Sequence, residues 1–272
     1  MPLAMPSKAT LVALSLVPVV APTAYLLLIR ATTSRYIAVS ATQKRVLTPK
    51  DKEDVAAAEA ASTSTTTYSP DTTIADTIPP HSIPDEVFAD SASYVVYCER
   101  VVSKPVPIKS LTVEGGDASS GALLTTYLRG TMGAFAWTPM GIIMHRIISD
   151  PALRATFSAD HLESLNFAKD DIACGPHKVT YRSRDRAEMM TQRLADKPDL
   201  VVHAVIVAAV ETTASGNEVV FVNETWFWRH AQEEPPSMLE TAAGRWLHTL
   251  VGGWMIFKGT SKVTASVKAK KQ

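Results

Sequence analysis

The run from Leu11 to Ile29, LVALSLVPVVAPTAYLLLI, carries no charged residue, and it limits what this chain can be more than any other stretch. At 1.5 Å of rise per residue, a helix of this length just crosses a hydrocarbon core of about 30 Å. Pro18 and Pro22 would kink it, which lipid-buried helices tolerate better than soluble ones. Lys8 precedes the run; Arg30, Arg35, Lys44, Arg45 and Lys50 follow it, so the positive-inside bias places the C-terminal side in the cytosol. The expectation is one N-terminal transmembrane helix within residues 1–30. A cleaved secretory signal fits poorly, because the apolar core ends directly in LLLIR. A mitochondrial presequence is the alternative. No acidic residue precedes Asp51, although an unbroken apolar run is not the amphipathic pattern of an import signal.

Residues 31–92 change character. Ala, Ser, Thr and Pro dominate, as in AAAEAASTSTTTYSPDTT and IPPHSIP. Such a stretch has few apolar groups to offset the entropy of ordering, so it reads as a flexible linker with an extended, Pro-rich end. At the other end, residues 261–272 read as a basic tail. Its Lys268 and Lys270 resemble the dilysine retrieval signal on cytosolic tails of endoplasmic-reticulum membrane proteins. That requires the tail to be cytosolic, in agreement with the charges flanking the apolar run.

Composition narrows the function classes. Lys+Arg and Asp+Glu balance at 27 each, which argues against a nucleic-acid partner, since phosphate binding needs a basic surplus. The two cysteines, Cys98 and Cys174, read as buried thiols rather than a disulfide framework. Cys174 and His177 make one isolated pair, too few for a zinc site, and no cofactor fingerprint occurs.

The segment 93–260 reads as one α+β domain. SYVVYCERVV is a first strand, rich in Val and Tyr. A helical region follows the GGDASSG break, with Asp117 or Ser120 as its cap, and Pro139 and Pro151 divide it. Then come KVTYRS and RAEMMTQRL, joined around Arg184-Asp185, and LVVHAVIVAAVET and EVVFVNETWFWRH, joined at Gly216-Asn217. Ser237 caps a final helix through MLETAAGRWLHTLVGGWMIF.

The order of elements, together with FAKDDIACGPHKVTYRSRDRAEM and GRWLHTLVGGWMIFKG, resembles the START-like (SRPBCC) superfamily in its polyketide-cyclase-like branch. The resemblance implies a helix-grip fold, a curved antiparallel sheet around a long C-terminal helix. It also implies a cavity for a hydrophobic small molecule or lipid, or else cyclase- or isomerase-like chemistry.

Candidate site residues follow from strand alternation. Val220, Val222, Glu224, Trp226 and Trp228 share one face of their strand. If that face is the concave one, Glu224 is a candidate acid or base, with His203 and His248 as proton-transfer partners. Trp226, Trp228, Trp246 and Tyr181 would then line the ligand. The competing reading pairs Glu224 with an arginine of a neighbouring strand. Asn223-Glu224-Thr225 is a formal glycosylation sequon, poorly placed on a central strand. Binding at the membrane is thus one expectation, proton-transfer catalysis a second, and a non-catalytic membrane scaffold a third.

Overall fold

The computed structural model describes residues 24–60, 67–112, 121–194, 197, 202–234 and 236–264. Residues 24–33 are helical (α1) and lead into strand β1 (Ile37–Arg45), helix α2 (Pro49–Ala60), the short strand β2 (Thr67–Tyr68) and helix α3 (Asp85–Ala89). Strands β3 (Tyr94–Ser103) and β4 (Val106–Pro107) follow, then four helices: α4 (Ala122–Ala136), α5 (Pro139–Ile147), α6 (Pro151–Ala155) and α7 (Ala159–Ser164). The remainder is β5 (Ile172–Ala173), β6 (His177–Arg182), β7 (Arg186–Thr191), β8 (Ala204–Thr213), β9 (Glu218–His230) and the long helix α8 (Ala242–Thr264).

The molecule is an α+β protein with a large antiparallel sheet and a C-terminal helix. Its main strands run in the order β1-β3-β9-β8-β7-β6-β5, with β2 joined parallel to β8 and β4 antiparallel to β9. The expected hairpins form, β6 with β7 and β8 with β9, the latter turning through Gly216 at φ 72. Pro139 and Pro151 start α5 and α6, where a missing N–H costs nothing. Thr138 and Asp150 cap those two helices by accepting from Gly141 and Ala152. Asp117 and Ser120, the expected caps of α4, lie outside the described residues; Gly121 stands at its N-cap position with φ 79.

Both faces of the sheet are covered. On one face α4 and α8 pack closely, because glycines let the backbones approach: a Cβ on Gly259 would stand 2.4 Å from Cε2 of Tyr127. Leu124, Tyr127, Leu128 and Met132 of α4 meet Val179, Met189, Val210 and Phe221 of the sheet there. On the opposite face Cys98, Val205, Val207, Trp226 and Trp228 are buried under Leu47, Ile74, Ile83, Val87 and Phe88.

That second layer corrects the reading of residues 31–92 as a linker. Their apolar residues are sparse, but Leu47, Ile83, Val87 and Phe88 are each at most 3% exposed. β1 pairs with β3 from Ile37 to Arg45. Arg45 donates through Nη1 to the carbonyl oxygens of Ile74 and Thr77, tying the strand to the turn that follows it. The basic-tail boundary also moves, since α8 runs on to Thr264; residues 265–272, with Lys268 and Lys270, lie outside the described residues. Of the apolar run, residues 11–23 lie outside them too. Among the described residues no helix is long and apolar enough to cross a membrane.

Candidate functional site

Strand alternation groups Glu224, Trp226 and Trp228 on one face, and the contacts of β3 show which face that is. Glu99 and Val101 of β3 point toward α8, where Glu99 accepts from Thr249 Oγ1 at 2.7 Å and meets His248 Nδ1. Cys98 and Arg100 therefore point away from α8, together with their cross-strand partners Trp226 and Glu224. The face bearing Glu224, Trp226 and Trp228 is thus the outer one, covered by Leu47, Ile74, Ile83, Val87 and Phe88. Those side chains pack directly on Trp226 and Trp228.

Glu224 is 1% exposed and sits in a buried ionic cluster. Arg100 donates through Nη1 to Glu224 and through Nη2 to both oxygens of Glu211, at 2.9 and 3.0 Å. The indole N–H of Trp226 donates to Glu224 at 3.0 Å. This is the competing reading, a carboxylate met by an arginine of the neighbouring strand. Burial pushes the Glu211 carboxyl up from its ordinary value, with Arg100 opposing. Beside the cluster, Glu188 accepts from the backbone N–H of His81 and Ser82, from Ser82 Oγ and from Arg186 Nε, all within 3.1 Å.

The three proposed proton-transfer residues do not converge. His203 is exposed and stacks on Trp228 at 6.0 Å on the outer side. His248 lies on α8, across the sheet from Glu224, and is bound to Glu99. Trp246 is 41% exposed on the first turns of α8. Tyr181 also faces outward, stacked on His81 at 4.2 Å. Its position has a local cause. The pairing of β6 with β7 slips between Val179 and Tyr181, so Thr180 is an extra residue in the strand. Val179 points to the helices, Thr180 and Tyr181 both turn outward, and Arg182 returns to the helix side.

In the sequence Arg182, Arg184 and Arg186 alternate around a turn and read as a solvated edge, but Arg182 is half-buried. Nη2 donates to Gly121 O and Thr125 Oγ1, both at 3.0 Å, and these are neutral acceptors. Nη1 is buried with no hydrogen-bond partner. Burial pulls the pKa of this guanidinium down to about 10, only partly opposed by Asp185. Gly121 belongs to the rim of an opening of about 120 Å³ between sheet and helices, lined by Ile108, Leu111, Leu123, Leu124, Val210 and Val219 together with Arg184, Asp185 and Thr212. From Val219 the same face of β9 runs inward through Phe221 to Asn223. Asn223 accepts from the Tyr127 hydroxyl at 2.9 Å, and its Nδ2 is buried and unpartnered. On α8, Thr260 Oγ1 is likewise buried without a partner. Buried unpaired polar atoms cost about 1–3 kcal/mol each and call for an explanation. Three of the four in the described residues lie between the sheet and α4 or α8.

Cys98 and Cys174 are free and buried, and burial pushes both thiols up, Cys174 to about 12. Among the described residues no cluster of His, Cys, Asp and Glu could hold a metal ion. No family model matches the chain, and no curated protein or solved structure is found to be similar to it.

Proposed function

We propose that this chain is a membrane-tethered binding protein for an amphipathic small molecule or lipid. The apolar body of the ligand enters between the sheet and helices α4 and α8, and an acidic head group meets Arg182. One observation carries the reading: Arg182, a half-buried cation whose acceptors among the described residues are the neutral Gly121 O and Thr125 Oγ1 and whose Nη1 is unused, is bonded to the rim of an opening lined mainly by apolar side chains, with Arg184 and Asp185 also on its wall. Such a charge is costly until an anion pairs with it. The unpartnered Asn223 Nδ2 supplies a second polar contact deeper in. The opening holds only a small group as it stands, so a longer ligand requires the Tyr127–Phe221 ring pair, 4.6 Å apart, to part.

The helix-grip reading is supported by connectivity. β3, the first strand expected of the domain, pairs with the last, β9, while the strands between run in sequence order and α8 closes the chain. Membrane tethering, with the domain in the cytosol, rests on the uncharged Leu11–Ile29 run and the basic residues that follow it. Binding is preferred to proton-transfer catalysis because Glu224, His203 and His248 are held apart.

The test is a titration with a dansyl-labelled fatty acid. Wild-type protein should give a saturable fluorescence increase, and Leu111→Trp, which fills the opening from its rim, should abolish it without changing the circular dichroism. No saturable signal in the wild type, or an unaltered one in Leu111→Trp, contradicts the proposal.

A further inference from the structure

On the opposite face of the sheet, Ala58 and residues 67–81 border a cavity of about 200 Å³ that is partly open to solvent. It is larger than the ~150 Å³ void that accommodates a benzene ring. His81, Arg100, Tyr181, Asp185, Arg186 and Glu211 are the groups of its wall that carry charge or ring surface, with Asp76 at the edge. Ser183 and three threonines, Thr67, Thr72 and Thr77, add hydroxyls. The cavity is not a gap left by loose packing. Glu188 clamps His81 and Ser82 to the sheet through three hydrogen bonds, so its roof is fixed.

The chemistry of the wall is uneven. Arg100 is fully engaged by Glu211 and Glu224. Arg186 donates to Glu188 through Nε alone, and its Nη2 is buried without a partner. One guanidinium edge therefore stays available for an acceptor oxygen. Acceptors are in surplus: Asp76, Asp185 and Glu211 on the wall, with Glu188 and Glu224 bonded directly behind the two arginines. Arg45 offsets Asp76 and Arg182 offsets Asp185, so Glu188, Glu211 and Glu224 against Arg100 and Arg186 leave one excess negative charge, which disfavours an anion and attracts a cation more strongly than in bulk water. The flat His81–Tyr181 stack provides an aromatic surface at the side.

We propose that this cavity is a second binding site, for a hydroxylated small molecule carrying an amine, of the size of an amino sugar. The amine is drawn to Glu211 and its neighbouring carboxylates, one hydroxyl oxygen takes the free edge of Arg186, and the remaining hydroxyls meet Ser183 and the threonines. The site lies across the sheet from Arg182, although Asp185 touches both openings, and neither proposal rests on the other.

The experiment is isothermal titration of the detergent-solubilised full chain with glucosamine, glucose and glucuronate, three rings of like size and different charge. Glucosamine should bind most tightly, glucose at least tenfold more weakly, and glucuronate not detectably. Arg186→Gln and Glu211→Gln should each weaken glucosamine binding about tenfold or more, the usual effect of losing a hydrogen bond to a charged group. Because both residues also hold the buried cluster, Thr72→Trp serves as a second variant: it touches no ion pair, fills the cavity from the roof and should abolish binding while the thermal unfolding curve is kept. No saturable heat with glucosamine overturns the proposal. So does glucose or glucuronate binding as tightly as glucosamine, or Thr72→Trp binding like wild type.

Discussion

Trp226 shows how a single side chain reports on its face of the sheet. It is fully buried, bonded to Glu224 through its indole N–H, and stacked under the Arg45 guanidinium at 5.4 Å. Trp226→Ala should therefore cost about 3–5 kcal/mol in urea unfolding, the range for removing a large aromatic side chain from a packed core. A variant that stays as stable as wild type would mean that the face is a cavity wall after all. His177 makes a pH prediction. Burial lowers its pKa from 6.5 to about 4, so the folded protein keeps the ring neutral where the unfolded chain already binds a proton. Stability should then fall as pH drops from about 6.5 to about 4, by up to about 3 kcal/mol, and level off below. Urea melts across that range should show the slope in wild type and lose it in His177→Gln. An identical slope in the variant would assign the effect elsewhere. Alternation alone grouped Glu224 with Trp226 and Trp228, because period two is a local property of a strand. Which face meets α8 is not local, and only the contacts of β3 with α8 decide it.

At the scale of elements, the β6–β7 and β8–β9 hairpins, the proline-started helices and the long last helix were legible, because turn residues, prolines and apolar periodicity are written into short windows. The strand β1 and the covering layer were not. Residues 31–92 have the composition of a linker, yet a handful of anchors, Leu47, Ile74, Ile83, Val87 and Phe88, suffices when a sheet face of two tryptophans is waiting for them. The extra residue at Thr180 was equally invisible, and it alone sends Tyr181 to the outer face and Arg182 to the inner one. Helix packing yields a further prediction. Gly130 stands against Gly259, where an added Cβ would come within 2.9 Å of the facing Cα, and a Cβ at Gly259 would strike Tyr127. Gly259→Val should therefore push α4 and α8 apart and lower the stability by about 1–3 kcal/mol or more, seen in thermal unfolding. Gly133, which has nothing within 4 Å of such a Cβ, should accept alanine without loss.

Taken whole, the molecule is a sheet used on both sides, with a helix layer over one face and the N-terminal layer over the other. Removing residues 1–92 should therefore do more than cut a tether: it strips β1 from the edge of β3 and uncovers Trp226 and Trp228, so the remnant should aggregate. Removing residues 1–23 alone should keep the domain folded and move it from carbonate-washed membranes to the soluble fraction. Retention of that shorter truncation on membranes would contradict the tether. The account as a whole turns on Arg182, a cation with neutral acceptors beside a largely apolar opening. Calorimetric titration of decanoate and of decanol separates the head group from the chain. Wild-type protein should prefer decanoate by about tenfold or more, as a charge-assisted hydrogen bond at a desolvated site implies, and Arg182→Gln should bind the two alike. Equal affinities in the wild type, or a decanoate preference that survives Arg182→Gln, would contradict it.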